Sequence, residues 1–131
     1  MSDYYDSLAR LYDLEHRNFD ADLLLYQNFG RRCGGPVFDV GCGSGRVPLA
    51  LARTGFDVVG VYNSAAMLDL ARARVREEGL SERVRLVHRD VCDLDWERRF
   101  PLAVFALNGF LHLLTARAQR AALLKIYRAL L

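Results

Sequence analysis

The sequence predicts an α/β fold built on a doubly wound, mostly parallel sheet. Two features predict it: short apolar runs alternate with amphipathic helical segments, and the first run ends in a glycine-rich turn that leads into a helix. Strands separated by helices of this length pair in parallel through right-handed crossovers. Because the chain has 131 residues, we expect one domain over 1–131, with a helical N-terminal segment over 1–33 and a βαβ core over 36–131.

The N-terminal segment has the spacing of an amphipathic helix. Apolar residues fall on one stripe in 5–14, and a leucine-rich run continues the pattern over 23–29 after two acidic residues. Two short helices, or one helix broken near Asn18, fit this pattern equally well. The Gly-Gly-Pro run at 34–36 then ends the helical pattern.

The rest of the chain predicts four strands and three helices. The run 36–40 is short, apolar and ended by glycines, which is typical of a strand buried on both faces. The other expected strands are 57–61, 84–88 and 102–107. The expected helices are 46–55, one capped by Ser64 that ends near residue 78, and one that begins at Thr115. The apolar side of this last helix is predicted to carry Ala118, Ala122, Leu123, Ile126, Tyr127 and Leu130.

Composition and charge argue against several classes of protein. The charge-free run 100–116 is shorter than the roughly 20 residues that cross a bilayer, and the N-terminus lacks the pattern of a signal peptide. Eighteen basic and sixteen acidic residues are spread along the chain, so nucleic-acid binding is not indicated. Three cysteines at 33, 42 and 92 have neither zinc-site nor disulfide spacing. We therefore expect a cytoplasmic protein with free thiols, no metal and no membrane association.

A glycine loop lies between the first strand and the following helix. Over 39–45 the sequence reads DVGCGSG. Glycines there let the backbone turn sharply and approach a ligand, while amides at the helix N-terminus donate to polar or anionic groups. The G-x-G-x-G spacing is neither the dinucleotide fingerprint nor a triphosphate loop. The loop therefore predicts a nucleotide-type site where the strand order reverses.

The stretch 37–47, VFDVGCGSGRV, closely resembles the first motif of the class I S-adenosylmethionine-dependent methyltransferases. Three later segments, VVGVYNSAAML at 58–68, RDVCDL at 89–94 and ALNGFLHL at 106–113, are similar to further segments of this family in the right order. The resemblance covers nearly the whole chain after residue 35. It implies a Rossmann-like methyltransferase fold with S-adenosylmethionine as cofactor.

The resemblance also implies roles for the loop residues. Asp39 would orient the loop or contact the methionine amino group, and Gly41, Gly43 and Gly45 would let the backbone pass beneath the methionine and ribose portion of the cofactor. Cys42 would be a small apolar spacer within this cofactor-binding loop. The alternative for the glycines is a tight turn without a ligand, and Asp39 is equally well explained as a structural acceptor.

Outside the loop, the resemblance places Asp90 at the adenine amino group and Val91 on the face of the adenine ring. Asn108 would lie beside the methionine end, and with His112 it is a candidate polar group near the methyl group. The N-terminal tyrosines in 4–13 resemble an aromatic helix that often covers this pocket as a lid. Alternatives are that Asp90 serves only a turn with Asp93 and that His112 is only a helix-end residue.

The chain departs from the family pattern at Tyr62. The family usually ends its second strand with an acid that accepts hydrogen bonds from both ribose hydroxyls, and a phenol cannot make this paired contact. Losing a charged acceptor costs roughly 1.5 to 3 kcal/mol. Asn63 would compensate in part, and Tyr62 would either contact the cofactor or pack over the loop.

The second departure concerns length. The resemblance predicts further strands after residue 131, so the fold would be truncated after the fourth strand and its helix. In the family's strand order, 3-2-1-4, the fourth strand becomes an exposed apolar edge. We therefore expect either a homo-oligomer formed through that edge or burial of the edge by the last helix.

These observations predict a methyltransferase acting on a small-molecule acceptor, or the cofactor-binding portion of one. No residue is identified as a catalytic base. The alternative is a noncatalytic, methyltransferase-like binding or assembly domain whose cofactor affinity is weak or lost.

Overall fold

A four-stranded parallel sheet organises the computed structural model, which describes residues 8–11, 20–106 and 115–131. The spatial order of the strands is β3-β2-β1-β4, and each neighbouring pair is parallel. The strands are β1 (Val37–Val40), β2 (Val58–Tyr62), β3 (Val84–His88) and β4 (Leu102–Val104). The predicted fold class and strand order are confirmed. Because the strand order reverses at β1, a ligand crevice is expected at the carboxyl end of this strand.

Four helices accompany the sheet, and residues 8–11 are also helical. They are α1 (Leu23–Cys33), α2 (Arg46–Arg53), α3 (Ala65–Glu77) and α4 (Ala116–Ala129), with a short 3-10 turn at Val91–Asp93. The predicted Ser64 cap is confirmed, since its hydroxyl accepts from the Met67 amide at 3.3 Å. Thr115, where the last helix is expected to begin, also caps its helix, and its hydroxyl accepts from the Ala118 amide at 3.0 Å. The predicted break near Asn18 falls outside the described residues.

The two faces of β1 contact different parts of the fold because its side chains alternate. Phe38 packs against Phe100 with ring centroids 5.1 Å apart, in a cluster that also holds Ala129 of α4. Val37 belongs instead to the cluster of Leu51 on α2. Every residue of β1 is buried, which confirms a strand covered on both faces.

Strand β4 is shorter than predicted, since it ends at Val104 instead of residue 107. Val104 pairs with Asp39, one residue before β1 ends. Beyond this pair only Val40 remains in β1, so β1 has too few residues to pair with a strand that continues to residue 107.

The apolar faces predicted for α1 and α4 are partly wrong. On α4, Leu123 and Tyr127 are 53% and 74% exposed, and the buried residues are Ala122 and Ala129. On α1, three residues of the leucine-rich run 23–29 are exposed: Leu24, Leu25 and Phe29. The fully buried residues of both helices are small, while Leu23, Tyr26 and Ile126 are partly buried against the core. On α1 a Cβ at Gly30 would lie 3.0 Å from the Phe56 ring, so this helix packs through its glycine.

The residues at the end of α4 lie beside the residues just before β4. Phe100 and Leu130 form a parallel bridge, and the Leu131 amide donates to the Phe100 carbonyl at 2.9 Å. The end of α4 therefore covers the residues just before β4. Self-association through the edge of β4 itself stays a prediction.

Within the described ranges 8–11, 20–106 and 115–131, none of the helices combines the length and apolarity needed to cross a membrane.

Candidate functional site

The glycine loop turns through three left-handed residues. Gly41, Gly43 and Gly45 have φ angles of +72°, +56° and +97°, a region that L side chains rarely adopt. The amides of Gly41 and Cys42 both donate to the Val61 carbonyl, at 2.8 and 3.0 Å. The loop is thus held against the end of β2, at the carboxyl edge of the sheet.

Two close contacts define the space around the loop. A Cβ at Gly45 would lie 3.1 Å from the Ala71 Cβ, so the start of α2 packs tightly on α3. A Cβ at Gly60 would lie 2.9 Å from the Cβ of Cys42, which is itself buried. Sequence reasoning treated Gly60 only as a strand residue, although a glycine inside a strand often marks a close approach of backbone or side chain.

Asp39 is a buried carboxyl group directly before the loop. It is 1% exposed, and among the described residues neither of its carboxylate oxygens has a hydrogen-bond partner. Burial raises the pKa of Asp39 well above its usual value, while the nearby Arg46 opposes this shift and Asp22 adds to it. A buried carboxyl group without a donor is costly, so this position favours a ligand that supplies one.

A polar cluster that the sequence did not identify joins α1 to the loop. Arg46, the residue after Gly45, donates two hydrogen bonds to Asp22, at 2.5 and 2.9 Å. Burial alone would raise the pKa of Asp22, but hydrogen bonds from Arg46 and Tyr26 lower it below its ordinary value. Burial and the same contact with Asp22 raise the pKa of Tyr26 to about 12. Helical periodicity relates residues three or four positions apart, so it does not predict a pair whose members are 24 residues apart in the sequence.

Two aromatic rings border the exposed side of the loop. A Cβ at Gly41 would lie 3.6 Å from Phe105 Cε1 and 4.0 Å from Tyr62 Cε2. Tyr62 also packs with Ala9 and Met67, so the N-terminal segment reaches the end of β2. Asn63 follows directly and is half-buried. The structure thus places Tyr62 beside the glycine loop, and Phe105 is a further site residue that the sequence did not identify.

The residues after β3 lie at the same edge of the sheet. The Arg89 amide donates to the Tyr62 carbonyl at 2.9 Å, which positions Asp90 next to the end of β2. Asp90 is exposed and caps the 3-10 turn, where its Oδ1 accepts from the Cys92 amide at 2.9 Å. Val91 is half-buried and packs against the cluster of Phe38. The turn role weighed for Asp90 is therefore present, and the adenine contact stays a prediction.

Other candidates lie outside the described residues: Asn108, His112 and the tyrosines in 4–7 and at position 12. The structure thus brings together Asp39, the glycine loop, Tyr62, Asn63 and Asp90 at the carboxyl edge of the parallel strands. It says nothing of the groups expected near the methyl group.

A cavity of about 240 Å³ lies against α2. It is lined by Leu23, Arg46, Leu49, Arg53, Arg74 and Glu78. None of the loop glycines lines it, and its arginines at 46 and 53 are ion-paired with Asp22 and Glu78.

Comparison with known proteins agrees with this geometry. A family model described as a methyltransferase domain matches residues 37–131, which span the sheet, the glycine loop and α4. The chain belongs to the class I S-adenosylmethionine-dependent methyltransferase family. The resemblance stated from the sequence is therefore confirmed.

Two curated relatives are similar over most of the chain. Methyltransferase GfsG of Streptomyces halstedii is 37% identical over 90 residues, covering 68% of this chain and 32% of the relative. Carboxy-S-adenosyl-L-methionine synthase of Chromohalobacter salexigens is 34% identical over 103 residues, covering 76% of this chain and 37% of the relative. The chain thus spans about a third of the length of these relatives.

A solved methyltransferase has the same fold. The CcbJ methyltransferase from Streptomyces caelestis superposes with a TM-score of 0.77 at 28% identity. The match covers 84% of this methyltransferase-family chain and 48% of CcbJ. The described sheet and helices therefore correspond to about half of a larger methyltransferase.

Proposed function

We propose that this chain binds S-adenosylmethionine at the glycine loop and supplies the cofactor-binding part of a methyl transfer to a small-molecule acceptor. The observation that carries the proposal is the loop itself, with three left-handed glycines at the point where the strand order reverses. Membership of the methyltransferase family supports the cofactor class.

The residues at the loop fit this cofactor chemically. Gly41 is exposed and lacks a side chain, so a ligand can approach its backbone closely, and the rings of Tyr62 and Phe105 offer flat apolar surfaces on either side. Asp39 is a buried acceptor without a donor among the described residues, which suits the ammonium group of the methionine portion. Asp90 would accept from the adenine amino group, and Val91 would pack on the adenine ring.

Tyr62 sets a limit on the expected affinity. Where relatives of the resembled family use an acid for both ribose hydroxyls, this phenol makes one hydrogen bond, with Asn63 as a second polar group. Loss of a charged acceptor costs roughly 1.5 to 3 kcal/mol, which corresponds to one to two orders of magnitude in the dissociation constant. We therefore expect weak but measurable binding.

The bound cofactor supplies an electrophilic methyl group on a sulfonium, and its transfer is an in-line displacement. The contribution of this chain is positioning, because holding donor and acceptor in line accounts for most of the rate of such a step. The loop and Asp39 would hold the methionine end, while Asn108 and His112 stay candidates for polar contacts near the methyl group. A proton acceptor is needed only if the acceptor molecule retains its proton.

A small-molecule acceptor is supported by the distribution of charge. Eighteen basic and sixteen acidic residues leave a net charge of +2, and the basic residues are spread along the sequence instead of being gathered in one block. The whole enzyme's substrate is part of this proposal, since the chain covers about a third of its curated relatives.

Isothermal titration calorimetry with S-adenosylhomocysteine tests the proposal. We expect saturable binding in the micromolar to millimolar range. Absence of binding at millimolar ligand would instead support the noncatalytic alternative, which the family match does not favour.

A further inference from the structure

The ion pair between Asp22 and Arg46 is partly buried and lies beside the glycine loop. Arg46 is the first residue of α2 and directly follows the last glycine of the loop, while Asp22 directly precedes α1. Their side chains are only 8% and 18% exposed. Both hydrogen bonds run to the same carboxylate, in the bidentate geometry that makes arginine pairs strong and directional.

Asp39 belongs to the same cluster but does not share this hydrogen bonding. The charge of Arg46 acts on Asp39 and opposes the effect of burial on its pKa, so the guanidinium lies within electrostatic range. Nevertheless, both oxygens of Asp39 lack a hydrogen-bond partner among the described residues. The charged and titratable groups that interact with Asp39 there are Asp22 just before α1, Tyr26 of α1, Arg46 of α2 and, from the loop, the Cys42 thiol.

The charges of this cluster do not balance once Asp39 is ionised. Among the residues that the structure describes, one guanidinium faces two carboxylates, and two of its hydrogen bonds run to Asp22. An ionised Asp39 therefore requires a further cation, and a ligand that carries an ammonium group would provide both the charge and the donor.

We propose that Asp22 is a positioning residue that holds Arg46 away from Asp39 and thereby keeps the Asp39 carboxyl group available for the positively charged group of the ligand. This inference rests on the proposed function. Asp22 acts through Arg46 and does not itself touch the ligand.

The Asp22→Asn variant tests this arrangement. A neutral amide cannot hold a guanidinium in the bidentate geometry, so Arg46 is released to pair with Asp39. We expect the affinity for S-adenosylhomocysteine to fall about tenfold, equivalent to about 1.4 kcal/mol. Asp22→Glu keeps the charge and should retain most of the affinity.

The double variant Asp22→Asn/Arg46→Met separates this role from a purely structural one. With the guanidinium removed, none of the described residues that act on Asp39 carries a positive charge, so affinity should recover relative to Asp22→Asn alone. If Asp22 serves only to fasten α1 to α2, the double variant will bind as weakly as the single variant, and the inference is overturned. Glu78→Gln is the matched control, because it breaks the bidentate pair with Arg53 at the other end of α2 and should leave affinity unchanged.

A second measurement is independent of ligand affinity. Carboxyl-carbon NMR follows the titration of Asp39 in the free protein, and thermal unfolding verifies that each variant is folded. We expect the pKa of Asp39 to fall in Asp22→Asn and to rise again in the double variant. An unchanged pKa in Asp22→Asn overturns the inference, whereas a wild-type chain that fails to bind S-adenosylhomocysteine overturns the proposed function.

Discussion

The side chain of Cys42 lies directly against the α-carbon of Gly60, so that a Cβ at Gly60 would come within 2.9 Å of the Cys42 Cβ. The glycine loop after β1 therefore contacts the middle of β2 through the Cys42 side chain, which lies against the backbone of Gly60. This contact holds the loop close to the sheet. It also explains why β2 has a glycine in its centre, because a side chain at this position would overlap Cys42.

Replacing Gly60 with alanine should destabilise the fold. The added methyl group would overlap Cys42 and also approach Leu86 at 3.1 Å, and overpacking of this kind costs about 1–3 kcal/mol. Urea unfolding measures the loss. Gly35→Ala is the control, since the nearest atom to its Cβ would be 3.5 Å away; equal stability of the two variants would contradict the contact.

Replacing Gly41 with alanine should reduce ligand affinity more than tenfold. The protein itself has space for the methyl group, so the loss would come from the ligand's approach to the loop and from strain at φ +72°. Gly55→Ala imposes similar strain at φ +98°, with no atom within 4 Å, in the turn beyond the other end of α2. Calorimetry should show reduced affinity for the first variant alone; a comparable loss in both would mean that the ligand does not contact Gly41.

Replacing Tyr62 with aspartate should increase affinity for S-adenosylhomocysteine about tenfold or more. The carboxylate restores an acceptor for both ribose hydroxyls. The asparagine in Tyr62→Asn has nearly the same size as aspartate but carries no charge. Comparing the two variants therefore separates the effect of the carboxylate from that of removing the ring. If aspartate and asparagine bind the ligand equally, the ribose lies elsewhere.

Asp39 should make the protein less stable as pH rises. Its pKa is raised in the folded state, so the folded protein retains a proton that the unfolded chain releases above about pH 4. The contribution of the raised Asp39 pKa to the free energy of unfolding is therefore fully present below that pH. It is lost as pH rises toward the folded pKa. Asp39→Asn should be more stable than wild type at pH 7, should lack this pH-dependent loss, and should bind the ligand more weakly. Urea unfolding between pH 4 and pH 8 measures it; parallel pH profiles for the two proteins would show that Asp39 is ionised when folded.

We also expect self-association through the edge of β4. Exposed apolar side chains lie on α1, which contacts β4, and on α4, which packs in the cluster of Ala103. Light scattering at increasing concentration should show a mass above that of the monomer. Leu123→Lys should reduce the effect, and Glu77→Lys on α3 should not; a monomer at all concentrations would contradict the expectation.

Much of the fold follows from local patterns. The strands at 84–88 and 36–40 and the caps at Ser64 and Thr115 were predictable because apolar runs, glycines and capping side chains act over a few residues. The glycine loop was predictable for the same reason, since its spacing is contained in seven residues.

The remaining features depend on contacts between distant parts of the chain. The pair of Asp22 with Arg46 and the approach of Cys42 to Gly60 arise only when α1, the loop and β2 are packed together. The exposure of Leu123 and Tyr127 has a similar origin, because the residues of α4 that face the core are Ala122, Ile126 and Ala129. Helical periodicity identifies an apolar stripe, but it does not show which residues of that stripe face the core.

The most direct measurement is an amide NMR titration of the chain with S-adenosylhomocysteine. We predict saturable shifts confined mainly to the glycine loop at 41–45, the end of β2 at 62–63 and the turn at 90–91. Shifts concentrated instead around the cavity beside Arg53 and Arg74, or none at millimolar ligand, would contradict cofactor binding at the glycine loop.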